Sequence, residues 1–527
     1  GQGPRPDQEN WLEYIGGLNQ SLPDFFGPQT LPMKPVAVDR TIAEWEPVRA
    51  LLVSISLRDA LREPRVFGYY LTLIKAASSF VEVGILYGAQ DRPLVERFIK
   101  RIEESGIPSE TMDRLHFIDT PEVNFWLRDN GPVFGLGQNG GLLVYDNIYR
   151  PLMPELEAWK QSPIDVDSRS LEQDDQAFED YKYVQRRIES TPLYVSKFIR
   201  ELFQVDSLLV RPPLHLQGGD YMTDGQGRIF VSEDTVLENG GDKDNLERIF
   251  RDYYGADEVY ILNALPGIAA KHLDLLMKLI DPNTLLLSEP PALATGTSRA
   301  NKRLIKDIGI IQQANEDYLK RNYPELKIVK VPMPPLVSED LQVYLSRIRT
   351  QIFAYVCDEI GISYLRYYQL RPNTPEKNEM LKLVATHLES RFKKELDFSK
   401  YSDLDLMARA YLDADLKTLV DTQSDPKTIY RSYLNSLFIR NPQGDSSWLL
   451  PRYAPRNEEK AEEFASMEKR VEAAYRSAFP EAVIQWVDSD AMADKLGTIH
   501  CTTITVPQVQ KSKTATKQLR TKVPAEG

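Results

Sequence analysis

The sequence predicts an α/β protein assembled from several copies of one strand, helix and strand unit, and three observations carry that expectation. Runs of β type alternate with helical runs from Arg49 to Val487. Hydrophobic residues at 42% and charged residues at 27% are ordinary globular values, which exclude wholesale disorder and a fibrous or collagen-like chain. Two stretches, 151–205 and 336–429, interrupt the cadence and read as insertions on an α/β frame. The 527 residues leave room for three or four domains, or for one large repeat-built domain.

The elements follow in order from local pattern. After residues 1–40, which end in the Pro-rich LPMKPVAVDR, the apolar run Arg49–Leu57 reads as a buried strand and Val66–Ala77 as a helix. FVEVGILY, Phe80–Tyr87, alternates like a second strand, Arg92–Glu104 is helical, and Leu115–Ile118 is a short third strand. The cadence returns at Leu208–Val210, Ile229–Ser232, the helix Asp242–Tyr254 and the strand Glu258–Leu262. It returns again at Leu285–Ser288, Glu316–Tyr323 and Lys327–Val331, and once more at Ser436–Arg440, Ala461–Ala478 and Ala482–Val487. Repeated units of this size predict one module used several times. In the first insertion a helix is expected over Pro192–Phe203, with Thr191 as its cap and Pro192 at its first position. The second insertion is almost wholly helical in pattern, with Leu381, Leu383, Val384, Leu388 and Phe392 on a broad stripe. Residues 508–527 carry five basic residues against one acid, Glu526, and their composition predicts a disordered basic tail.

Charge and cysteine usage narrow the function classes. Lys and Arg number 64 against 77 Asp and Glu, a net charge of −13, which argues against a nucleic-acid binder and favours cationic partners. Two cysteines, Cys357 and Cys501, make no disulfide framework, and the five scattered histidines have no zinc-ligand spacing. The longest apolar stretch, Val259–Ala270, is about half a bilayer span and holds Asn263 and Pro266, so no transmembrane helix is readable. The polar start GQGPRPDQEN lacks Met and fits either a removed leader or an arbitrary boundary.

Four islands hold residue types suited to chemistry. WLRDNGP, Trp126–Pro132, joins an aromatic and Asp129 to a turn; the plainer reading is a strand end with Arg128 and Asp129 paired. LQGGDYMTDGQG, Leu216–Gly227, has adjacent glycines that permit unusual backbone angles or close approach of a ligand, or that simply turn a β-hairpin. In KHLDLLMKLI, Lys271–Ile280, His272 and Asp274 share one face if the segment is extended. Otherwise they are surface residues, with Asp274 capping a helix that opens at Leu275. LGTIHCTTITVP, Leu496–Pro507, sets Cys501 in a Gly-led, Thr- and Ile-rich strand, where a lone cysteine is usually a small apolar core residue. Cys357, within IFAYVCDEI, reads the same way.

Taken in order, these islands resemble the guanidino-group-modifying enzymes of the pentein fold, specifically the agmatine deiminase and bacterial (Porphyromonas-type) peptidylarginine deiminase family. The matching elements are WLRD, QGGDYMTDG, HLD, SYLNSLFI with Asn435, and IHC, with VPMPP at Val331–Pro335 ahead of the Asn segment. The resemblance implies five ββαβ-type modules around a pseudo-fivefold axis, a catalytic domain over 41–507, and no metal or organic cofactor. It implies that Cys501 is the nucleophile, His272 the general acid and base, and Asp129 and Asp274 the two carboxylates that grip the guanidinium, with Asn435 beside the nucleophile. Trp126, Arg128, Gly218, Gly219 and Asp220 would contact the substrate. The chemistry is coherent: two carboxylates accept paired N–H bonds from a planar cation, and a positive neighbourhood favours a thiolate.

Within the family, QGGDYMTDGQG and YLNSLFI are closer to the peptidylarginine branch, because the agmatine branch usually has Glu where Gln217 stands. IYRPLMP, Ile148–Pro154, resembles a region in which two arginines hold the carboxylate of a C-terminal arginine. Arg150 matches the first and Leu152 stands at the second, which argues against strict C-terminal specificity; Lys271 and Asp220 also depart from the usual residues. The expected partner is thus an arginine-containing peptide or protein, with agmatine deimination as the alternative and non-catalytic binding of arginine peptides as a rival of another class. The non-Met start and the family relatives point to a secreted or periplasmic location.

Overall fold

The computed structural model describes residues 35–149, 190–265, 272–339, 356–357, 359–363, 367, 370, 374–392 and 427–509. Two compact units divide the chain: Gly1–Tyr149 with Arg186–Leu336 and Tyr430–Gly527, and Arg150–Gln185 with Val337–Ile429.

Among the described residues, the first unit holds five sheets. Thr503–Pro507 pairs antiparallel with Val48–Ser54, which runs parallel to Glu82–Gly88 and on to Leu115–Thr120. A second sheet orders Val38–Thr41, Val133–Gly137, Leu142–Tyr145 and Ser207–Val210. The remaining three are Tyr221–Thr223, Arg228–Ser232 and Glu258–Leu262; Met277–Asp281, Thr284–Ser288 and Lys327–Val331; and Leu437–Arg440, Ser446–Arg452 and Val483–Asp488. Every sheet follows one rule: an antiparallel pair, then a helical crossover, then a parallel neighbour. Parallel pairing requires such a crossover because a short turn cannot return the chain to the same end of the sheet.

Local chemistry accounts for the elements. Ala50, Leu51, Leu52 and Val53 are all fully buried, so this strand is covered on both faces and its sequence is continuously apolar. The crossover helix Lys243–Tyr254 starts on Asp242, whose side chain accepts from the amides of Asp244 and Asn245, and stops at Gly255 with φ +68°. Between Tyr221–Thr223 and Arg228–Ser232 the chain turns on Gly225 and Gly227, both at positive φ, while Asp224 accepts from the amides of Gln226 and Arg228.

Several sequence expectations change in detail. The helix expected at Pro192–Phe203 runs Thr191–Phe203 and is the crossover between Leu142–Tyr145 and Ser207–Val210. Its cap is Ser190, and Thr191 is buried as the first helical residue. No α-helix opens at Leu275: one 3-10 turn, Leu273–Leu275, leads into the strand Met277–Asp281, because MKLI is buried at every position and pairs with TLLLS. The glycines of QGGD form a 3-10 turn, Gly218–Asp220, ahead of the hairpin and do not make its turn. The helix read at Glu316–Tyr323 is the end of a longer one, Arg299–Asn322, whose first turns expose most of their side chains and so lack an apolar signal.

In the second unit, Val337–Ser338 pairs antiparallel with Thr428–Ile429, Pro375–Phe392 is a helix, and Cys357 is buried. Val384 is buried on that helix while Leu383 is exposed, so the stripe expected there is narrower than a full apolar face. No described helix is long and apolar enough to cross a membrane. The tail 510–527 lies outside the described residues, as do 1–34.

The sheet Leu437–Arg440, Ser446–Arg452 and Val483–Asp488 is anchored by Trp448, 1% exposed, with ring centroids 4.7 Å from both Phe438 and Tyr475. Trp448→Ala should cost about 3–5 kcal/mol, read as a lower urea midpoint; a loss below about 1 kcal/mol would mean that the sheet does not rest on this ring.

Candidate active site

Cys501 lies in the single-turn helix Ile499–Thr502, at the start of the strand Thr503–Pro507. The turn is entered through Leu496, a non-glycine residue at φ +77°, and Gly497. A Cβ on Gly497 would stand 2.9 Å from Cys501 Sγ and 2.7 Å from the Trp126 ring, so only glycine fits between them. Asn435, fully buried, fixes the thiol from the opposite side. Its Oδ1 accepts from the amide of Thr498 at 3.1 Å, the hydroxyl of Thr498 at 3.0 Å and the amide of Cys501 at 3.3 Å. That saturates the carbonyl and turns the amide nitrogen toward sulfur, to which it donates at 3.1 Å.

Two carboxylates and an imidazole complete the cluster. Asp274 Oδ2 accepts from Cys501 Sγ at 3.4 Å and from His500 Nδ1 at 2.8 Å. Its Oδ1 is buried and has no hydrogen-bond partner among the described residues. Asp129 accepts from the amide of Gly219 at 3.0 Å and stands 3.4 Å from His272 Nδ1, while His272 Nε2 donates to Gln217 Oε1 at 2.5 Å. Gly218 and Gly219 let these groups meet: a Cβ on Gly218 would lie 2.1 Å from the Arg128 carbonyl oxygen, and one on Gly219 would lie 2.7 Å from His272 Nδ1. Close approach, and not an unusual φ, is therefore what both glycines supply. Asp220 is buried beneath, accepting from the amides of Leu273 and Ser232 and the hydroxyls of Ser232 and Thr235, which ties the His272 turn to the neighbouring sheet.

Electrostatics follow from burial of several charges together. Desolvation, with Asp274 and Asp129 nearby, pushes the Cys501 thiol well above its ordinary range despite the Asn435 bond. Desolvation also raises Asp129, against the pull of His272, and raises Asp220 to about 7. Asp274 is lowered: burial opposes its charge, but the hydrogen bond and charge of His500, with His272 and the Cys501 contact, outweigh that cost. His272 is raised, because Asp129, Asp274 and Asp220 outweigh its desolvation. The cluster thus offers a thiol biased toward its neutral form, an imidazole biased toward protonation and carboxylate density with one open oxygen, a setting that a planar cation complements.

Of the residues singled out in the sequence, Cys501, His272, Asp129, Asp274, Asn435, Gly218, Gly219 and Asp220 converge here. The expected Arg128–Asp129 pairing is absent: Arg128 Nε donates to the His500 carbonyl at 3.2 Å, and its Nη2 is buried without a partner among the described residues. Trp126 packs against Gly497 beside the thiol. Arg150 lies outside the described residues, as does Lys271. Glu44 and Lys278 were not singled out in the sequence, His500 entered only as part of IHC with no role of its own, and Gln217 only as a mark of the substrate branch. His500 adjoins the cysteine, and Lys278 is a charge inside an otherwise apolar strand, a signal that was legible; nothing local marks Glu44. Among the described residues no group of His, Cys, Asp or Glu is arranged to hold a metal.

A thiol held this way should alkylate with iodoacetamide more slowly than glutathione at pH 7, with a rate still climbing at pH 9, as read by peptide mass spectrometry at Cys501. Fast alkylation that plateaus below pH 8 would contradict the electrostatics above.

Solved structures share the fold. The agmatine deiminase of Enterococcus faecalis superposes with a TM-score of 0.52 at 16% identity, covering 90% of this chain and 100% of that one. The agmatine deiminase of C. jejuni gives a TM-score of 0.51 at 14% identity, covering 89% of this chain and 96% of that one. The mixed α/β fold is shared with these enzymes. Residues 40–507 match the family described as Porphyromonas-type peptidyl-arginine deiminase, and the chain belongs to that family of hydrolases acting on guanidino C–N bonds.

Proposed function

We propose that the protein hydrolyses the guanidino group of peptide-bound arginine to give citrulline and ammonia through a covalent adduct on Cys501. The observation that carries the reading is the open Oδ1 of buried Asp274, beside a thiol that shares the other oxygen of the same carboxylate. A guanidinium fills the gap: one N–H edge donates to Asp274, another to Asp129, and the plane of the cation comes to lie over sulfur.

The same pairing activates the nucleophile. In the free site, burial and then carboxylate charge disfavour the thiolate; the arriving cation neutralises that charge, so the thiol gives its proton up to solvent water as substrate binds. Sulfur attacks the guanidino carbon, and the tetrahedral adduct collapses as protonated His272 gives its proton to the leaving nitrogen, which departs as ammonia. Neutral His272 then takes a proton from water, whose oxygen attacks the S-alkylthiouronium carbon; the C–S bond breaks, the thiolate is released and the ureido product remains. Asn435 steadies sulfur in both charge states by donating to it.

Gln217 in place of an acid, and a match to the peptidyl-arginine family, favour the peptide substrate. The shared fold with two agmatine deiminases favours agmatine as the second reading. The position of each site residue just ahead of the antiparallel strand of a sheet supports closure of the five units around a common axis, and the helix Thr191–Phe203, read within the insertion 151–205, belongs to that frame as a crossover.

Agmatine, free arginine and an N-blocked arginine peptide should be offered to the protein, with ureido product followed colorimetrically. The peptide should be the best substrate; preference for agmatine would select the second reading, and product from none would sink deimination. Cys501→Ala should lower kcat/KM by about 10⁴-fold or more, and Cys357→Ala should leave it intact; product surviving in Cys501→Ala would sink the covalent route. Gly219→Ala, whose new methyl would crowd His272 and Asp129, should cost about 10²-fold.

A further inference from the structure

A second chain of charged and polar groups meets the cluster at Asp274. His500, 7% exposed, presents Nδ1 to Asp274 Oδ2 at 2.8 Å and Nε2 to Glu44 Oε1 at 3.1 Å. Both ring nitrogens thus face carboxylate oxygens, one on each side of the ring. Glu44 is itself fixed: its Oε2 lies 2.7 Å from Lys278 Nζ and accepts from the Phe438 amide at 3.4 Å. Lys278, 5% exposed, also donates to the Ser436 carbonyl at 3.0 Å. A cavity reaches Glu44, Lys278, Arg128, His500 and Asp274, and its lining does not include Cys501, His272 or Asp129. The chain Lys278–Glu44–His500 thus ends on Asp274 Oδ2, the oxygen that Cys501 Sγ also meets, and leaves Oδ1 open.

We propose that His500 is a positioning residue for the reaction: clamped between Glu44 and Asp274, it holds one oxygen of Asp274 and so leaves the other aimed at the guanidinium. The inference rests on the reading that Asp274 grips that cation. Asp274 has two oxygens and its other described partner there is the weak thiol donor Cys501. Without His500 the carboxylate is free to turn about its χ2 bond and bury its unpaired oxygen elsewhere. Glu44 prevents the ring itself from turning, and Lys278 prevents Glu44 from following the ring. The burial cost of each charge is met by the next along the chain, which holds Glu44 ionised against its desolvation: the charge of Lys278 and the bond and charge of His500 outweigh it. A charge-assisted hydrogen bond is the strongest local restraint available to a carboxylate.

The test uses steady-state kinetics with whichever of agmatine, free arginine and the blocked peptide the parent protein turns over best. His500→Gln, which keeps reach toward Glu44 and loses the donor at the Nδ1 position, should raise KM tenfold or more while changing kcat less. His500→Asn, whose amide nitrogen falls near the place of Nδ1, should recover most of the loss. Glu44→Gln should raise KM in the same direction, and the Glu44→Gln/His500→Gln double variant should be no worse than the worse single, since both act through one bond. Glu44→Gln carries the test alone if His500→Gln does not give the parent near-UV circular dichroism. A His500→Gln protein with the parent KM, an Asn variant as impaired as Gln, or additive losses would overturn the proposal. A parent protein inactive on all three substrates would instead sink the deiminase reading on which it rests.

Discussion

The site depends on two carboxylates held out of water within reach of one thiol. Buried carboxylates so close together are costly unless each finds compensating protons. Asp129 finds the Gly219 amide and His272, and Asp274 finds His500 and Cys501, yet Asp274 Oδ1 remains open. A cation that donates along a flat edge closes that gap, and its charge shifts the thiol toward the form that reacts. Recognition and activation are then one event, which is why a site that disfavours thiolate when empty is suited to a nucleophilic cysteine.

The fold meets this demand by repetition. Asp129 stands just before Val133–Gly137, Gly219 before Tyr221–Thr223, Asp274 before Met277–Asp281, Asn435 before Leu437–Arg440 and Cys501 before Thr503–Pro507. Each is the entry to the antiparallel strand of a different sheet, so rigid sheet edges carry residues far apart in sequence into one cluster. Short 3-10 or single-turn helical segments at four of these entries, and a turn ahead of Asn435, aim the side chains sideways, where a regular strand would alternate them to opposite faces. Glycine at positions 218, 219 and 497 removes the bulk that would otherwise separate the strands' ends.

Much of this was readable in the residues. The crossover helices and buried parallel strands announce themselves by apolar periodicity, and the ordered islands WLRD, QGGD, HLD, Asn435 and IHC mark the cluster. Neither strand of the hairpin Val133–Gly137 and Leu142–Tyr145 was legible, because four or five residues beside glycine give too short a pattern to separate from loop. The His272 turn was left between two readings since two residues cannot declare a 3-10 turn. Glu44 and Lys278 were missed for a different reason. Their meaning lies in a pairing across 234 positions of sequence, from Glu44 to Lys278, that only the folded chain creates.

The most direct measurement is rapid acid quench of the protein during turnover of an N-blocked arginine peptide, followed by digestion and mass spectrometry. The account predicts a peptide containing Cys501 that is heavier by the mass of substrate less ammonia, because the thiouronium retains all of the substrate except the departed nitrogen. Turnover with Cys501 unmodified throughout, or with the adduct on Cys357, would contradict it.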